Sequence, residues 1–173
     1  FHVGGLSSLL AVWLAGGAWV LPKQTQSSSF DPASVVQSLN VANTLVVVPA
    51  MLFALMMSQQ ESSNAKIFPT VQFVVIGGQS ASETVLNFCR IIFPKARLVQ
   101  TYACTEAASS LTFHDVTQTT QQDDDCVGTP PDHIELALFE RGRIVTAPFE
   151  RGVIATRGPH VLNRYWGQPP RRR

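Results

Sequence analysis

The chain has 173 residues, of which 45% are hydrophobic and 14% are charged, so it can bury a core of its own while leaving apolar surface uncovered. The formal charge of +1 provides no basic surface for nucleic acid, and the Arg171–Arg173 run is interpreted as a solvated tail. Three widely separated cysteines without CxxC spacing indicate reduced thiols and a reducing compartment, rather than a disulfide framework or a zinc site.

Two stretches lack Asp, Glu, Lys and Arg, namely residues 1–22 and 32–60, and they raise the question of a membrane span. A spanning helix needs about 20 predominantly apolar residues. In the first stretch, two pairs of glycines bracket a short helical core and Pro22 follows it. In the second, Pro49 separates a β-branched run from a helical run. We therefore expect no stable membrane insertion.

Helical and strand-like patterns alternate along the first 101 residues. Nearly continuous Val and Ile runs separated by helices are typical of a parallel sheet covered on both faces. The expected elements are helix 5–15, strand 18–21, helix 32–39, strand 44–48, helix 50–58, strand 71–76, helix 80–92 and strand 97–101.

The pattern changes after Thr105, where shorter and more polar segments are separated by Gly, Pro and Asp. These segments, 109–113, 133–139 and 152–158, favour short antiparallel strands added to the α/β layer. The Asp123–Asp125 run between them is interpreted as a solvated turn, because the spacing of a calcium loop is missing. We predict an α/β subdomain over 1–115, a polar acidic loop over 116–130, and the start of a β-rich subdomain over 131–173.

One predicted strand end carries the sequence VVIGGQSASE. Gly77 and Gly78 allow a ligand to approach the backbone closely, although the glycines could simply turn the chain. Ser80 and Glu83 have the spacing of a capping box, which predicts that they open the next helix. In an open α/β sheet, ligands bind at the carboxyl ends of the strands.

The next strand end carries the sequence QTYACTE. Tyr102 offers an aromatic face, Thr105 a hydroxyl and Glu106 an oxygen ligand for a hard cation such as Mg²⁺. A nucleotide and metal site would account for all three side chains at once. The alternative is an exposed loop at a strand end.

Four segments in order carry a family resemblance: FHVGGL at 1–6, VVIGG at 74–78, TYACTE at 101–106 and GVIATRGPHVLNRYWG at 152–167. Together they resemble the adenylate-forming, AMP-binding acyl-CoA synthetases, and the flanking sequence resembles the plant-type 2-succinylbenzoate-CoA ligases within that family. The resemblance fails mainly in the acidic loop and after Gly167. It implies that a carboxylic acid, here 2-succinylbenzoate, reacts with ATP to form an acyl-adenylate. Coenzyme A then displaces AMP, in phylloquinone or menaquinone biosynthesis.

The resemblance also implies roles for individual residues. Thr105 would donate to the α-phosphate and Glu106 would hold Mg²⁺, as the catalytic pair. Tyr102 and the Gly77–Gly78 backbone would flank the adenine. His2 would lie beside the acyl carboxylate; without the motif around it, a surface or capping histidine would be the favoured interpretation. The remaining implied contacts are Gln100, Thr101 and Ala103 to the nucleotide, and Ser8 and Gly78 to the acid.

The chain departs from the family pattern in two ways. Ala103 stands where the family usually has Gly, which adds a methyl group near the nucleotide. A phosphate-binding loop ending in Lys, a ribose-binding Asp and a C-terminal domain with its catalytic Lys are absent from the 173 residues. We therefore expect a central fragment that is inactive alone and needs the rest of its large domain and a C-terminal domain.

Three questions stay open at this point. The chain could be a catalytically inactive remnant that acts as a binding module, or part of a ligase for another aromatic or fatty acid. By resemblance, the compartment would be the chloroplast or the peroxisome.

Overall fold

The computed structural model describes residues 2–23, 30–61, 65–118 and 126–169. The Asp123–Asp125 and Arg171–Arg173 runs therefore lie outside the described residues. Within these ranges the helices are α1 (Val3–Leu14), α2 (Pro32–Ser38), α3 (Pro49–Gln60) and α4 (Glu83–Ile92). The strands are β1 (Thr44–Val47), β2 (Phe73–Ile76), β3 (Arg97–Cys104), β4 (Ser109–Asp115), β5 (Glu135–Glu140), β6 (Arg143–Val145) and β7 (Val153–Arg157).

The first sheet has the order β1-β2-β3-β4 among the described strands. The first three strands are parallel, and β4 pairs antiparallel with β3. Helices α3 and α4 connect the parallel strands, as the short apolar runs and the intervening helical patterns predict. The predicted α/β class, with antiparallel strands after a parallel sheet, is confirmed.

Apolar side chains from the strands and from α2, α3 and α4 form the main core. Val74 and Leu98 on the two central strands have no exposed surface, because helices and neighbouring strands cover them. Helix α4 places Val85, Leu86 and Cys89 against the sheet while its opposite face stays exposed. The core therefore fixes the carboxyl ends of β2 and β3 next to each other.

The second sheet has the order β6-β5-β7 in the described part of the chain, and all of its pairs are antiparallel. Strand β6 was not predicted, because its three residues follow a tight turn at Arg141–Gly142 and resemble loop sequence. A small cluster of Ala107, Leu111 and Ile134 joins the two sheets, with Leu136 of β5 packed against it.

Helix α1 lies beside β4 and buries none of its residues. Leu10, Trp13 and Leu14 are among its exposed apolar side chains. The predicted strand at 18–21 is wrong: residues 17–23 form no regular element, and no described strand pairs with their backbone. A strand needs a neighbour for its hydrogen bonds, so β propensity alone was insufficient here. None of the described helices is long and apolar enough to cross a membrane.

Two other expectations near the strand ends were wrong. Strand β3 continues to Cys104, three residues past the predicted end, because β4 supplies partners for its backbone. Helix α4 begins at Glu83 with Ser82 at the N-cap, so Ser80 and Glu83 do not form a capping box. Glu83 instead pairs with Arg90, at 2.6 Å between Oε1 and Nη1.

A polar corner holds the end of β4 to the start of β3. The Thr117 hydroxyl donates to Asp115 Oδ1 at 2.6 Å, and Arg97 Nε donates to Asp115 Oδ2 at 2.6 Å. The hydrogen bond from the Thr117 hydroxyl, with further contributions from Arg97 and the Thr117 amide, lowers the pKa of Asp115 to about 2. The corner therefore favours the ionised carboxylate.

This pKa shift has a testable consequence for stability. Because the folded pKa lies below the unfolded value of about 3.9, Asp115 stabilises the fold above that pH, and the contribution is lost as the pH falls through about 2. The pair is solvent-exposed, so we expect Asp115→Asn to lower the free energy of unfolding at pH 7 by no more than about 1 kcal/mol. Urea unfolding of both proteins between pH 7 and pH 2 measures the difference, which should shrink below pH 4. A difference that does not depend on pH would contradict the assignment.

Candidate functional site

A cavity of about 260 Å³ lies at the carboxyl ends of β2 and β3. This is where ligands bind in open α/β sheets. A wider depression of about 550 Å³ lies at the other end of β3, beside Arg97 and Asp115, but those side chains already pair with each other. The cavity at the carboxyl ends is lined by Gly78, Gln79, Ser80, Gln100, Thr101, Tyr102, Ala103, Cys126 and Val127.

The loop after β2 forms one wall of this cavity through Gly78, whereas Gly77 does not line it. Gly77 donates its amide to Val47 O at 3.0 Å, which continues the pairing of β2 with β1. Gly78 has φ of 85°, in the left-handed region that a residue with a side chain rarely adopts. A flat ligand could therefore lie directly against the backbone at Gly78, as the sequence predicts.

Strand β3 provides the facing wall with Gln100, Thr101, Tyr102 and Ala103. The pairing with β4 shifts between Tyr102 and Ala103, which leaves Leu111 as an extra residue on β4. Such a bulge changes the direction of neighbouring side chains and is frequent next to binding sites. The predicted nucleotide contacts on β3 thus share one cavity with Gly78.

Hydrogen bonds hold this wall in place. Gln100 Oε1 accepts the amide of Ala81 at 2.9 Å, and so ties the loop after β2 to β3. Thr101 Oγ1 and Ser110 Oγ are 2.9 Å apart. No buried side-chain nitrogen or oxygen lacks a hydrogen-bond partner within the described ranges. The wall is therefore organised before any ligand binds.

Thr105 and Glu106 lie on the turn that directly follows this wall and do not line the cavity itself. Residues Thr105–Ala107 form a single 3₁₀ turn, closed by a hydrogen bond from the Ala108 amide to Thr105 O at 3.2 Å. Ala108 and Ser109 then take positive φ values of 58° and 119°. The turn leaves Thr105 exposed and Glu106 half-buried, so both can present oxygen atoms to a ligand at the rim.

Glu106 is contacted by a distant segment that the sequence reasoning did not single out. Its carbonyl accepts the Leu162 amide at 2.7 Å, and its Oε1 accepts a hydrogen bond from the Tyr165 hydroxyl. Tyr165 was visible only as part of the motif GVIATRGPHVLNRYWG. Tyr165 lies 59 residues after Glu106 in the chain, and no pattern in the sequence indicates that the two side chains meet.

His2 and Ser8 lie on α1, apart from the cavity lining. His2 is exposed at the N-cap, where its carbonyl accepts the Gly5 amide at 3.0 Å and its side chain makes no capping bond. The Ser8 hydroxyl donates to Gly4 O at 2.7 Å within the helix. Ser7 reaches Ser109 of β4 at 3.1 Å between the hydroxyl oxygens, which links α1 to the turn after Glu106. Contacts of His2 and Ser8 with an acid stay predictions.

The three cysteines lie in different environments. Burial raises the pKa of the Cys89 thiol to about 12, so this residue is an inert core side chain. Cys104 is half-buried at the end of β3. Cys126 is exposed and lines the cavity beside Val127, a position that the sequence reasoning did not identify.

The oxygen donors fit a magnesium ion that arrives with phosphates better than a self-contained metal centre. Magnesium in phosphate-transfer sites commonly has one or two carboxylates, with phosphate and water oxygens as the other ligands. Glu106 supplies one carboxylate on the rim. No group of three or more His, Cys, Asp or Glu residues that could hold a metal exists among the residues that the structure describes.

A family comparison identifies residues 1–166 as matching the description AMP-binding enzyme. The chain belongs to the AMP-binding enzyme family. It is 36% identical over 182 residues to the 2-succinylbenzoate-CoA ligase, chloroplastic/peroxisomal, of Arabidopsis thaliana. That match covers 96% of this chain and 31% of the relative, so the chain spans about a third of the length of this family member.

Solved structures of the family share the fold. The o-succinylbenzoate CoA synthetase (MenE) of Bacillus subtilis, in complex with the acyl-adenylate OSB-AMP, has a TM-score of 0.77 at 23% identity, covering 96% of this chain and 32% of that one. MenE with ATP and a magnesium ion has a TM-score of 0.76 at 24% identity, covering 96% and 33%. A long-chain-fatty-acid-CoA ligase (FadD1) of Archaeoglobus fulgidus has a TM-score of 0.78 at 19% identity, covering 96% and 34%.

The exposed thiol at the cavity gives a direct test of where a nucleotide binds. We expect a thiol reagent to modify Cys126 rapidly and Cys89 only after unfolding, because the thiolate is the reactive form. AMP or ATP in the cavity should slow modification of Cys126 severalfold. Mass spectrometry of modified peptides measures each rate, and Cys126→Ser is the control. Unchanged modification of Cys126 at a nucleotide concentration that saturates the protein would mean that the nucleotide binds elsewhere.

Proposed function

We propose that this chain is the nucleotide-binding part of an AMP-forming acid-CoA ligase. The proposal rests mainly on the cavity in which the Gly78 backbone faces Gln100, Thr101, Tyr102 and Ala103, with the Thr105–Ala107 turn at its rim. A glycine wall and a facing aromatic residue suit a flat base. The adjoining hydroxyl and carboxylate suit phosphates and their cation.

In the proposed reaction, a carboxylate oxygen of the acid attacks the α-phosphorus of ATP. The new C–O–P linkage forms as the bond to pyrophosphate breaks. Gly77, Gly78 and Tyr102 hold the adenine, and the Thr105 hydroxyl donates to an α-phosphate oxygen, on which negative charge develops. Glu106 would hold Mg²⁺, which when bound neutralises phosphate charge. The thiol of coenzyme A then loses its proton and attacks the acyl carbon, and AMP leaves as the bond between the acyl carbon and the phosphate oxygen breaks.

Ala103 is one of the residues that line this cavity, and we infer that its methyl group lies near a bound nucleotide. A close-packed nucleotide would meet it where a glycine would leave more room, so we infer weaker nucleotide binding than Ala103→Gly would give. The expected penalty is modest, because a single methyl group is small and the cavity is open on one side.

We infer that the acid is 2-succinylbenzoate, as in the name of the Arabidopsis relative. This acid carries a second carboxylate that stays anionic, and a bound anion needs hydrogen-bond donors. Two hydroxyl pairs near the turn could supply them, Ser7 with Ser109 and Thr101 with Ser110. A hydroxyl that accepts one hydrogen bond still has a hydrogen to donate.

Not every hydroxyl in these segments suits that role. Thr112 is only 2% exposed and donates to Val127 O, so it anchors the segment beside the cavity instead of meeting a substrate. The Ser8 hydroxyl would have to exchange its bond with Gly4 O. His2, which is exposed at the start of α1, is the proposed neighbour of the reacting carboxylate.

The wider role follows the relative. A 2-succinylbenzoate ligase would act in phylloquinone or menaquinone biosynthesis, and the relative's name gives a chloroplast or peroxisome as the proposed compartment. Since the chain spans about a third of that relative, we propose that turnover needs further polypeptide, which brings donors to the other phosphates. The chain alone would then have no measurable activity.

The metal role of Glu106 can be tested in the natural full-length polypeptide that carries this segment. We expect Glu106→Gln to slow acyl-adenylate formation by about 10²–10³-fold, the range seen when one transition-state stabilising group is removed. Thioester formation from preformed acyl-adenylate should suffer much less. Pyrophosphate release and thioester yield measure the two steps, and Glu140→Gln, an exposed residue of β5, is the matched control. Equal losses in both steps, or a collapsed melting temperature, would assign Glu106 a structural role.

The acid is tested with a substrate panel on the same polypeptide. We expect kcat/KM for 2-succinylbenzoate to exceed that for benzoate, a cinnamate-type acid and a medium-chain fatty acid, because only the first offers a second carboxylate to the hydroxyl pairs. Ser109→Ala and Ser110→Ala should reduce that preference. A wide preference for the fatty acid or the cinnamate would overturn the substrate while leaving the adenylate chemistry in place.

A further inference from the structure

The segment after β7 folds into a tight, hydrogen-bonded turn. Thr156 Oγ1 and His160 Nε2 are 2.8 Å apart, and the Val161 amide donates to Gly158 O at 3.2 Å. Gly158 has φ of 149°, and a Cβ at this position would lie 2.8 Å from the His160 ring. Only glycine fits this turn without displacing the ring. The turn therefore sets the direction of the chain that follows it.

That chain meets Glu106 at two points. The Leu162 amide donates to the Glu106 carbonyl at 2.7 Å, and the Tyr165 hydroxyl donates to Glu106 Oε1. The first contact holds the backbone of the 3₁₀ turn, and the second orients the carboxylate. The two sheets also pack through Ala107, directly after Glu106, so the approach of this segment is built into the fold.

We propose that Tyr165 is a positioning residue that holds the Glu106 carboxylate ready for a divalent cation. This inference rests on the proposed function, in which Glu106 is the magnesium ligand. A carboxylate has about four acceptor positions, and the phenol hydrogen bond occupies one of them, so the phenol itself does not block a cation. A side chain that is already oriented loses less conformational freedom when the cation binds. Groups that orient a metal ligand in this way can change metal affinity by about 10–100-fold.

The phenol suits this task better than a charged partner would. A lysine or arginine at the same place would compete with the cation for the negative charge, whereas a neutral hydroxyl directs the carboxylate without neutralising it. Tyr165 is 40% exposed, so its ring is not a major part of the core. Loss of its hydroxyl should therefore alter Glu106 without unfolding the protein.

The test uses Tyr165→Phe in the natural full-length polypeptide that carries this segment. The substitution keeps the ring and removes only the hydroxyl. We expect the Mg²⁺ concentration for half-maximal ATP binding, followed by calorimetry, to rise roughly tenfold. Metal-free AMP binding and the melting temperature should change little. Trp166→Phe is the matched control, because the neighbouring Trp166 ring is fully exposed.

A double substitution separates positioning from a structural role. In a Glu106→Gln background, Tyr165→Phe should raise the Mg²⁺ requirement no further, because the carboxylate that it orients is gone. If Glu106→Gln raises the requirement and Tyr165→Phe does not, the positioning role is overturned and the metal role of Glu106 stands. If neither substitution changes the Mg²⁺ requirement, the positioning role of Tyr165 and the metal role of Glu106 are both overturned. Equal loss of melting temperature by Tyr165→Phe in the two backgrounds, without a change in the Mg²⁺ requirement, would make Tyr165 purely structural.

Discussion

The double pairing of β3 is the constraint on which the candidate site depends. On one side it is parallel to β2, which brings its carboxyl end to the glycines after β2. On the other side it is antiparallel to β4, so the chain must reverse within a few residues of Cys104. Thr105 and Glu106 occupy that reversal. The cavity wall on β3 and the turn that carries Thr105 and Glu106 are therefore consecutive, because β3 is parallel to β2 and antiparallel to β4.

The half-buried acid at this reversal receives hydrogen bonds from a distant part of the chain. A carboxylate removed from water needs donors. Here the Leu162 amide and the Tyr165 phenol, both in the segment after β7, reach the same residue, one at its backbone and one at its side chain. Packing of Ala107 and Leu111 against Ile134 keeps the sheets together at this point. The position of the Thr105–Ala107 turn at the cavity rim therefore depends on the packing of the second sheet against it.

Local pattern predicted much of the fold, because strand runs such as FVVI and helices such as α4 have strong hydrophobic patterns, although both begin later than expected. Local pattern failed where pairing with another strand decides whether a segment is a strand. Residues 18–21 have β propensity but no neighbouring described strand. Strand β3 extends to Cys104 because β4 pairs with it there. For the candidate site, adjacency in sequence was enough to single out Tyr102, Thr105 and Glu106, whose roles stay predictions. Cys126 reaches the cavity and Tyr165 reaches Glu106 from distant segments of the chain. A single sequence does not show which distant residues come close in space.

The two ends of the acidic segment are anchored to neighbouring elements of the first sheet layer. Before it, Thr117 bonds to Leu98 of β3 and to Arg90 of α4. After it, Thr129 pairs with Phe113, and a Cβ on Gly128 would lie 2.1 Å from the Phe113 carbonyl oxygen, so this position excludes any side chain. We therefore expect that changes in chain length between these anchors would leave Cys126 and Val127 in place at the cavity.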